Sequence, residues 1–328
     1  MHFATLLASI PPPPFDGFPI GPVKIHIYAL CIILGGILAF WLGGKRWQAR
    51  GGKPEQMYDV GLWAVVFGII GARLYHVITV PDVYFGPGYN GEGDLTKIFA
   101  IWEGGIAIWG AIGGGALGVW LACRRYKLRM TPMADAIAPG ILLAQAVGRW
   151  GNYFNQELFG EPTTLPWGLE VDPNHYNFPI GMSADTLFHP TFLYESLWNL
   201  LGVVVLLLLD RRLKLRNGMM LWSYIVWYTL GRIPIESIRL DHAQEFTLLG
   251  ITARTNTWTS VIMFLVAVGL LVYSIITRPK TAEQRAEAEK VFRDDYVDDA
   301  DDETTDPSDD AAQDDSTTAQ ESGPDKTT

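Results

Sequence analysis

Seven predominantly apolar stretches recur along the chain, at 23–44, 57–79, 98–122, 133–154, 191–209, 218–235 and 258–277. Each approaches the roughly 20 residues that an α-helix needs to cross the hydrocarbon core of a bilayer. The polar segments between them alternate in charge. Lys45, Arg46, Arg50 and Lys53 follow the first stretch, Arg124, Arg125, Lys127 and Arg129 the third, and Arg211, Arg212, Lys214 and Arg216 the fifth. Arg278 and Lys280 follow the seventh, whereas the intervening loops hold only Lys97, then no Lys or Arg between 155 and 190, then Arg239 and Arg254. Cytoplasmic loops carry the basic excess, so this pattern predicts an outside N-terminus and a cytoplasmic C-terminus. A soluble helical core has no reason to alternate this way.

The expected architecture is an all-α polytopic membrane protein. An N-terminal extracytoplasmic segment covers 1–22 and a seven-helix transmembrane domain covers 23–278. Two outer loops are long: 81–97 is Gly-rich and acidic, and the Pro-rich loop at about 155–189 is expected to form a small periplasmic cap. Residues 279–328 form a cytoplasmic acidic tail, charged and helix-prone as far as Arg293 and then too polar to bury a core. Composition supports this division. Apolar residues make up 49% of 328 while only 18% are charged, and much of that charge lies in the tail, which also carries the net charge of −10. No basic patch of nucleic-acid type is present. Cys31 and Cys123 fall at different depths, so no disulfide is expected, and no signal-peptide pattern precedes the first span, which should itself direct insertion.

The candidate chemistry is polar and sits where the chain should be apolar. The run GRWGNYFNQE at 148–157 ends the fourth span. A guanidinium at mid-bilayer depth costs at least ~2.5–3.5 kcal/mol, so Arg149 calls for an anion. Helical spacing puts Arg149, Asn152 and Tyr153 on one face. The plainer reading has Arg149 snorkelling outward, or pairing with Glu157 merely to hold the cap. In the sixth span Tyr228, Arg232 and Glu236 recur every four residues, with Pro234 expected to break the helix between the last two. Two guanidinium forks at one depth suit a phosphodiester, although Arg232 and Glu236 could simply neutralise each other. Arg73 and His76 give the second span a similar outer end. His189, with Tyr194 and Glu195 a turn deeper, starts the fifth span, and Tyr28 lies in the first. The glycines at 104–105 and 110–115 permit close helix approach. No HExxH, CxxC or carboxylate cluster suggests a metal, and no cofactor is called for.

Taken together, these residues resemble the prolipoprotein diacylglyceryl transferase family of bacterial inner membranes. The run from Gly148 to Thr163 is similar to a signature GRxGNxxNxExxGxPT. GARLY at 71–75, EGG at 103–105, HPTxLYE at 189–195 and the Tyr228/Arg232/Glu236 face extend the likeness over about 15–278. The resemblance implies transfer of the diacylglyceryl group of phosphatidylglycerol to the lipobox cysteine of a preprolipoprotein, with release of glycerol phosphate. It implies that Arg149 binds the lipid's phosphate and that Arg232, Glu157 and Glu236 line the site; these four are the candidate catalytic residues, and Glu157, Glu236 and His189 are the candidates for a base. It further implies that Asn152, Tyr28, Tyr228 and Gly160 line the site; with Arg149, and with Arg73 and His189 from the outer span ends, they are the candidate phosphatidylglycerol-binding residues. One position departs: Trp109 stands where many relatives carry a histidine proposed as the base, and an indole accepts no proton. The competing readings are a lipid or organic-anion transporter and a scaffold without chemistry.

Overall fold

The computed structural model describes residues 9–21, 23–105, 107–241, 244–248 and 250–296; the acidic tail expected beyond 296 lies outside them. The chain is mostly helical rather than all-α. Two antiparallel hairpins interrupt it: β1 (Gly17–Ile20) with β2 (Val23–His26), and β3 (Glu245–Leu248) with β4 (Ile251–Arg254). The helices are α1 (Ile27–Gln48), α2 (Pro54–Thr79), α3 (Asp82–Phe85), α4 (Ile108–Arg125), α5 (Met130–Phe154), α6 (Thr191–Leu213), α7 (Met219–Ser237), α8 (Thr255–Ile276) and α9 (Ala282–Glu289). Five of them, α1, α2, α5, α6 and α8, are long and apolar enough to cross a membrane. The helix α4 spends its length on glycines and a terminal arginine pair, and α7 spends positions on Tyr, Arg, Pro and Glu.

Their outward faces are apolar. Leu62, Leu265 and Ile276 are 64%, 62% and 70% exposed. So large an apolar surface is untenable in water and ordinary in lipid. This is an integral membrane protein.

Three departures from the predicted pattern have a local cause. The first stretch opens as strand β2 and becomes helical only at Ile27. The third helix starts at Ile108 rather than 98, because Gly104 (φ 91°) and Gly105 (φ 72°) take a backbone conformation that no helix contains. Pro234 does not break its helix. It lies inside α7, which ends only at Ser237, so a single missing N–H near the terminus is tolerated.

Close helix pairs are built on glycine. A Cβ at Gly71 would strike the Gly110 carbonyl and Gly114, and one at Gly118 would strike the Trp63 carbonyl, so α2 and α4 touch backbone to backbone. Likewise Gly35 and Gly140 admit Ala144 and Ala39 between α1 and α5. Between α6 and α7, Trp198 and Trp227 stack at 4.6 Å. Each indole donates to the other's carbonyl at 3.0 Å, in room left by Gly231 and Gly202.

One end of the helix array is basic and internally locked. Arg46 pairs with Asp210 at 3.0 Å, and Arg216 with the same carboxylate at 2.9 Å. Asp135, fully buried on α5, accepts from the backbone N–H of Gly218 (2.9 Å) and Leu221 (3.0 Å). It supplies in trans the anionic cap that α7, beginning after a glycine, lacks. Burial and the neighbouring Arg216 charge pull the Arg50 guanidinium down to about 10.

The chain does not leave this body at 278. Val291 is buried with Trp47, Met57 and Leu128, and residues Lys127 and Arg129 hydrogen-bond to Arg293 and Val291. The body to which these residues belong extends to Arg293.

Candidate functional site

The opposite end gathers the helix termini that carry the polar residues. The last two turns of α5 present Arg149 and Asn152, the second turn of α6 presents Glu195, and the last turns of α7 present Arg232 and Glu236. Arg149 Nη2 meets Glu195 Oε2 at 2.7 Å, and Arg232 Nη1 meets Glu195 Oε1 at 2.9 Å. The two guanidiniums are therefore brought together, and a single carboxylate spans them. Arg149 pairs with Glu195, not with Glu157.

Glu236 lies behind this pair and is fully buried. Its Oε2 takes Arg232 (2.5 Å) and Arg239 (2.9 Å), and its Oε1 takes Arg254 (3.5 Å) and Asn256 (3.3 Å). Asp241 closes the chain of charges with Arg239 (2.8 Å) and Arg254 (3.0 Å). A carboxylate gripped by three guanidiniums is a strut. Its oxygens are occupied by these donors.

Glu157 stands apart from the guanidiniums. Its Oε1 accepts from Asn152 Nδ2 at 2.7 Å and Asn155 Nδ2 at 3.4 Å. It is turned back over α5 by two residues in the left-handed region, Gln156 (φ 45°) and Leu158 (φ 60°). Non-glycine residues adopt that conformation only under constraint. The Thr191 hydroxyl, donating to the Leu158 carbonyl, supplies part of it.

Past this turn the chain is extended between two neighbours. Gly160 N donates to His189 O, and Glu161 N to Ile238 O. A Cβ on Gly160 would meet His189 Cβ at 2.8 Å and Ile238 O at 2.9 Å. Gly160 therefore lets three segments meet. Phe159, Leu169, Val171, Phe188 and Phe192 give the segment between α5 and α6 an apolar centre of its own.

The remaining candidates divide. Tyr28, in the first turn of α1, packs on the bare face of Gly151 beside Arg149 and Asn152. Tyr228 lies one turn below Arg232, stacked near Tyr224 at 6.3 Å. His189 Nδ1 pairs with the Tyr194 hydroxyl at 3.2 Å, which also accepts from Trp167. Arg73 belongs to a different arrangement. It is buried and donates to the carbonyls of Lys97, Ile98, Ala100, Gly104 and Gly105, holding the loop before α4. His76 binds the Tyr84 hydroxyl at 2.8 Å beside it. Among the described residues Arg73 shares no carboxylate with Arg149 or Arg232, which meet on Glu195. Trp109 is 47% exposed near the start of α4. Two clefts of about 580 and 540 Å³ lie at the basic end, lined by Arg124, Arg129 and Lys214, Arg278 respectively, remote from these residues.

The model of the family "Prolipoprotein diacylglyceryl transferase" matches residues 17–273. The chain belongs to that family. Among its relatives is the phosphatidylglycerol–prolipoprotein diacylglyceryl transferase 2 of Streptomyces coelicolor, 50% identical over 273 residues, 83% of each chain. The corresponding transferase of Cutibacterium acnes is 50% identical over 80% of this chain and 86% of its own. That of Mycobacteroides abscessus is 47% identical over 85% and 81%.

For a diacylglyceryl transferase family member, the residue that sequence reasoning underweighted is Glu195. It was visible as a carboxylate a turn inside a span and as the last residue of HPTxLYE, and intramembrane acids are functional by default. Arg239, Arg254 and Asn256 read as loop or helix-start residues, because their common partner, Glu236, is fixed only by folding. Chemically, Arg149, Glu195 and Arg232 together carry two positive charges and one negative. The resulting net +1 matches a singly charged phosphodiester. Each guanidinium keeps N–H groups beyond those used on Glu195.

Proposed function

We infer that this protein is a phosphatidylglycerol–prolipoprotein diacylglyceryl transferase. It moves the diacylglyceryl group from phosphatidylglycerol to a lipobox cysteine thiol, the first step of bacterial lipoprotein maturation. The observation that carries the reading is the Arg149–Glu195–Arg232 triad at the membrane-embedded end of α5, α6 and α7. Family membership supports it.

In the proposed reaction the substrate sulfur attacks the glyceryl carbon that bears the phosphate. A C–S bond forms, the C–O bond breaks, and its electrons pass to the phosphate oxygen of departing glycerol phosphate. Arg149 and Arg232 bind the phosphodiester and stabilise the charge that grows on the leaving oxygen, in a site where low dielectric strengthens them. Glu195 fixes the spacing of the two forks before substrate arrives. Asn152 holds Glu157, and Tyr28 closes the site from α1.

A thiol of pKa near 8.5 is only a few per cent thiolate at neutral pH. The cationic triad lowers that pKa, and Glu157, held by amides rather than guanidiniums, is the carboxylate free to take the proton. Glu236 is the strut behind Arg232. His189 and Gly160 shape the rim, and Arg73 orders the loop that leads into α4.

Seven helices, α1, α2 and α4 to α8, are proposed to cross the bacterial inner membrane. The N-terminus and the 155–189 cap face the periplasm, and the basic helix ends face the cytoplasm. The alternation of basic loops supports this orientation, and the lipobox thiol is then presented from the side of Arg149. Incubation of the purified protein with phosphatidylglycerol and a lipobox peptide tests the function. Mass spectrometry should find the peptide heavier by one diacylglyceryl group; an unmodified peptide with an active control would overturn the assignment.

A further inference from the structure

Beneath the ionic triad the same three helices carry a second polar layer. The Arg149–Glu195 pair and the hydrogen bond from Trp150 Nε1 to Ser196 Oγ (3.2 Å) set α5 and α6 antiparallel in a fixed register. Deeper along the same pair, Gly202 has no room for a Cβ beside Leu142. Between these contacts the register places Gln145 opposite Asn199, each four residues, or about one 5.4 Å turn, below the pair. The third helix joins in: Gln145 Nε2 donates to the Tyr224 hydroxyl at 3.0 Å, and Tyr224 and Tyr228 descend from Arg232 at the same spacing.

This layer is incompletely satisfied. Gln145 Oε1 and Asn199 Nδ2 are both buried without a hydrogen-bond partner among the described residues, and Asn199 is only 2% exposed. Orphaned amides inside a helix bundle are costly and call for an explanation. One further turn down, the lining is purely apolar, with Leu142, Val203 and Met220.

The order is charge, then amide and phenol, then hydrocarbon. A diacyl phospholipid has the same order from phosphate through ester-bearing glycerol to acyl chain. Its glycerol carbons hold the ester carbonyls about one helical turn from the phosphate.

We propose that Gln145, Asn199 and Tyr224 form an acyl-ester subsite, in which Asn199 Nδ2 donates to an ester carbonyl of the diacylglyceryl group. The ester accepts only, which fits the orphaned donor. The second proton of the Asn199 amide is left for Gln145 Oε1 across from it, and Gln145 orients Tyr224 as a further donor. The proposal rests on the transferase reading and deepens it: the enzyme reads the ester linkage of its lipid as well as the phosphate.

The test compares ordinary diester phosphatidylglycerol with its dialkyl ether analogue, which keeps the phosphate and chains but lacks both carbonyls. Each is given to the full-length protein with a lipobox peptide. Wild type should favour the diester by roughly tenfold in kcat/KM, the size of one hydrogen bond. Asn199→Leu should bring that ratio close to one, with the change carried by KM for the diester. Gln145→Met, on the facing helix, should reduce the ratio as well and guards against a variant that merely misfolds. Equal use of both lipids by wild type would overturn the subsite while leaving the transferase reading intact. So would equal losses on both lipids in the variants, the result expected if a bound water or plain packing satisfies the two amides. Product from neither lipid in wild type would sink the transferase reading and the subsite with it.

Discussion

At the residue scale, carboxylates alike in type are given different work by their neighbours. Glu236 faces three guanidiniums and an amide, so its charge is compensated many times over. Removing it leaves Arg232 with Glu195, itself shared with Arg149, and Arg239 and Arg254 with Asp241 alone, so the buried cluster is one negative charge short. Breaking a buried pair in this way costs ~3–5 kcal/mol, so Glu236→Gln should lower the thermal unfolding temperature in detergent markedly. Glu157 faces only Asn152 and Asn155. Glu157→Gln should therefore melt close to wild type yet lose most transfer. If the melting losses were reversed between the two variants, the assignment of strut and base would be wrong. Arg149→Ala should reduce transfer by about 10²–10³-fold, the usual effect of deleting one donor to a developing anion. Near-normal turnover would remove Arg149 from the phosphate site. Trp109→His should keep or raise activity, because the indole is half exposed and takes no proton; a complete loss would show that it packs on substrate.

At the element scale, the triad depends on how α6 and α7 are held. Their register is set by the reciprocal Trp198 and Trp227 pair, and the axial position of α7 by Asp135 capping its first turn from α5. The Trp198 ring rests on Gly231, next to Arg232, whereas the Asp135 cap lies at the far end of α7. Gly231→Val would drive a side chain into the Trp198 ring and shift one helix on the other. We expect it to abolish transfer with a clear drop in unfolding temperature; an unaltered melt would deny the lock. The sequence displays these tryptophans and glycines as separate apolar positions. Their pairing was illegible, because each contact joins residues of two helices whose rotation is set by all the others. The same limit hid the non-glycine left-handed residues Gln156 and Leu158. Neither is a turn-former, and only the surrounding bonds compel them.

At the scale of the whole molecule, the two ends of the helix array do different things. The basic end is closed by its own ion pairs and by the segment after α8, which returns Val291 to the cluster around Trp47 and Met57. A chain ended at Arg293 should retain the full unfolding temperature and transfer. One ended at 278 should lose both, since a buried apolar face would be bared. Equal behaviour of the two would show that the segment is dispensable. Membrane sidedness has its own test: a cysteine introduced at Tyr176, which is 82% exposed, should react with an impermeant thiol reagent in intact cells, and one at Lys280 should not. The opposite labelling would invert the proposed topology.

What the chain fixed without folding was its one-dimensional content. Lipid demands long apolar helices, insertion favours alternate basic loops, and an arginine within a span demands an anion, so membrane class and the residues at 148–157 were legible as they stand. Only the tertiary structure decided which acid answers which base. It set Glu195 between Arg149 and Arg232, sank Glu236 among three cations, sent Arg73 to backbone carbonyls, and aligned Gln145 with Asn199. The reason is physical. Hydropathy is a property of each position, whereas an ion pair belongs to two helices at a particular rotation and depth, which close glycine contacts and indole locks impose only when the bundle closes.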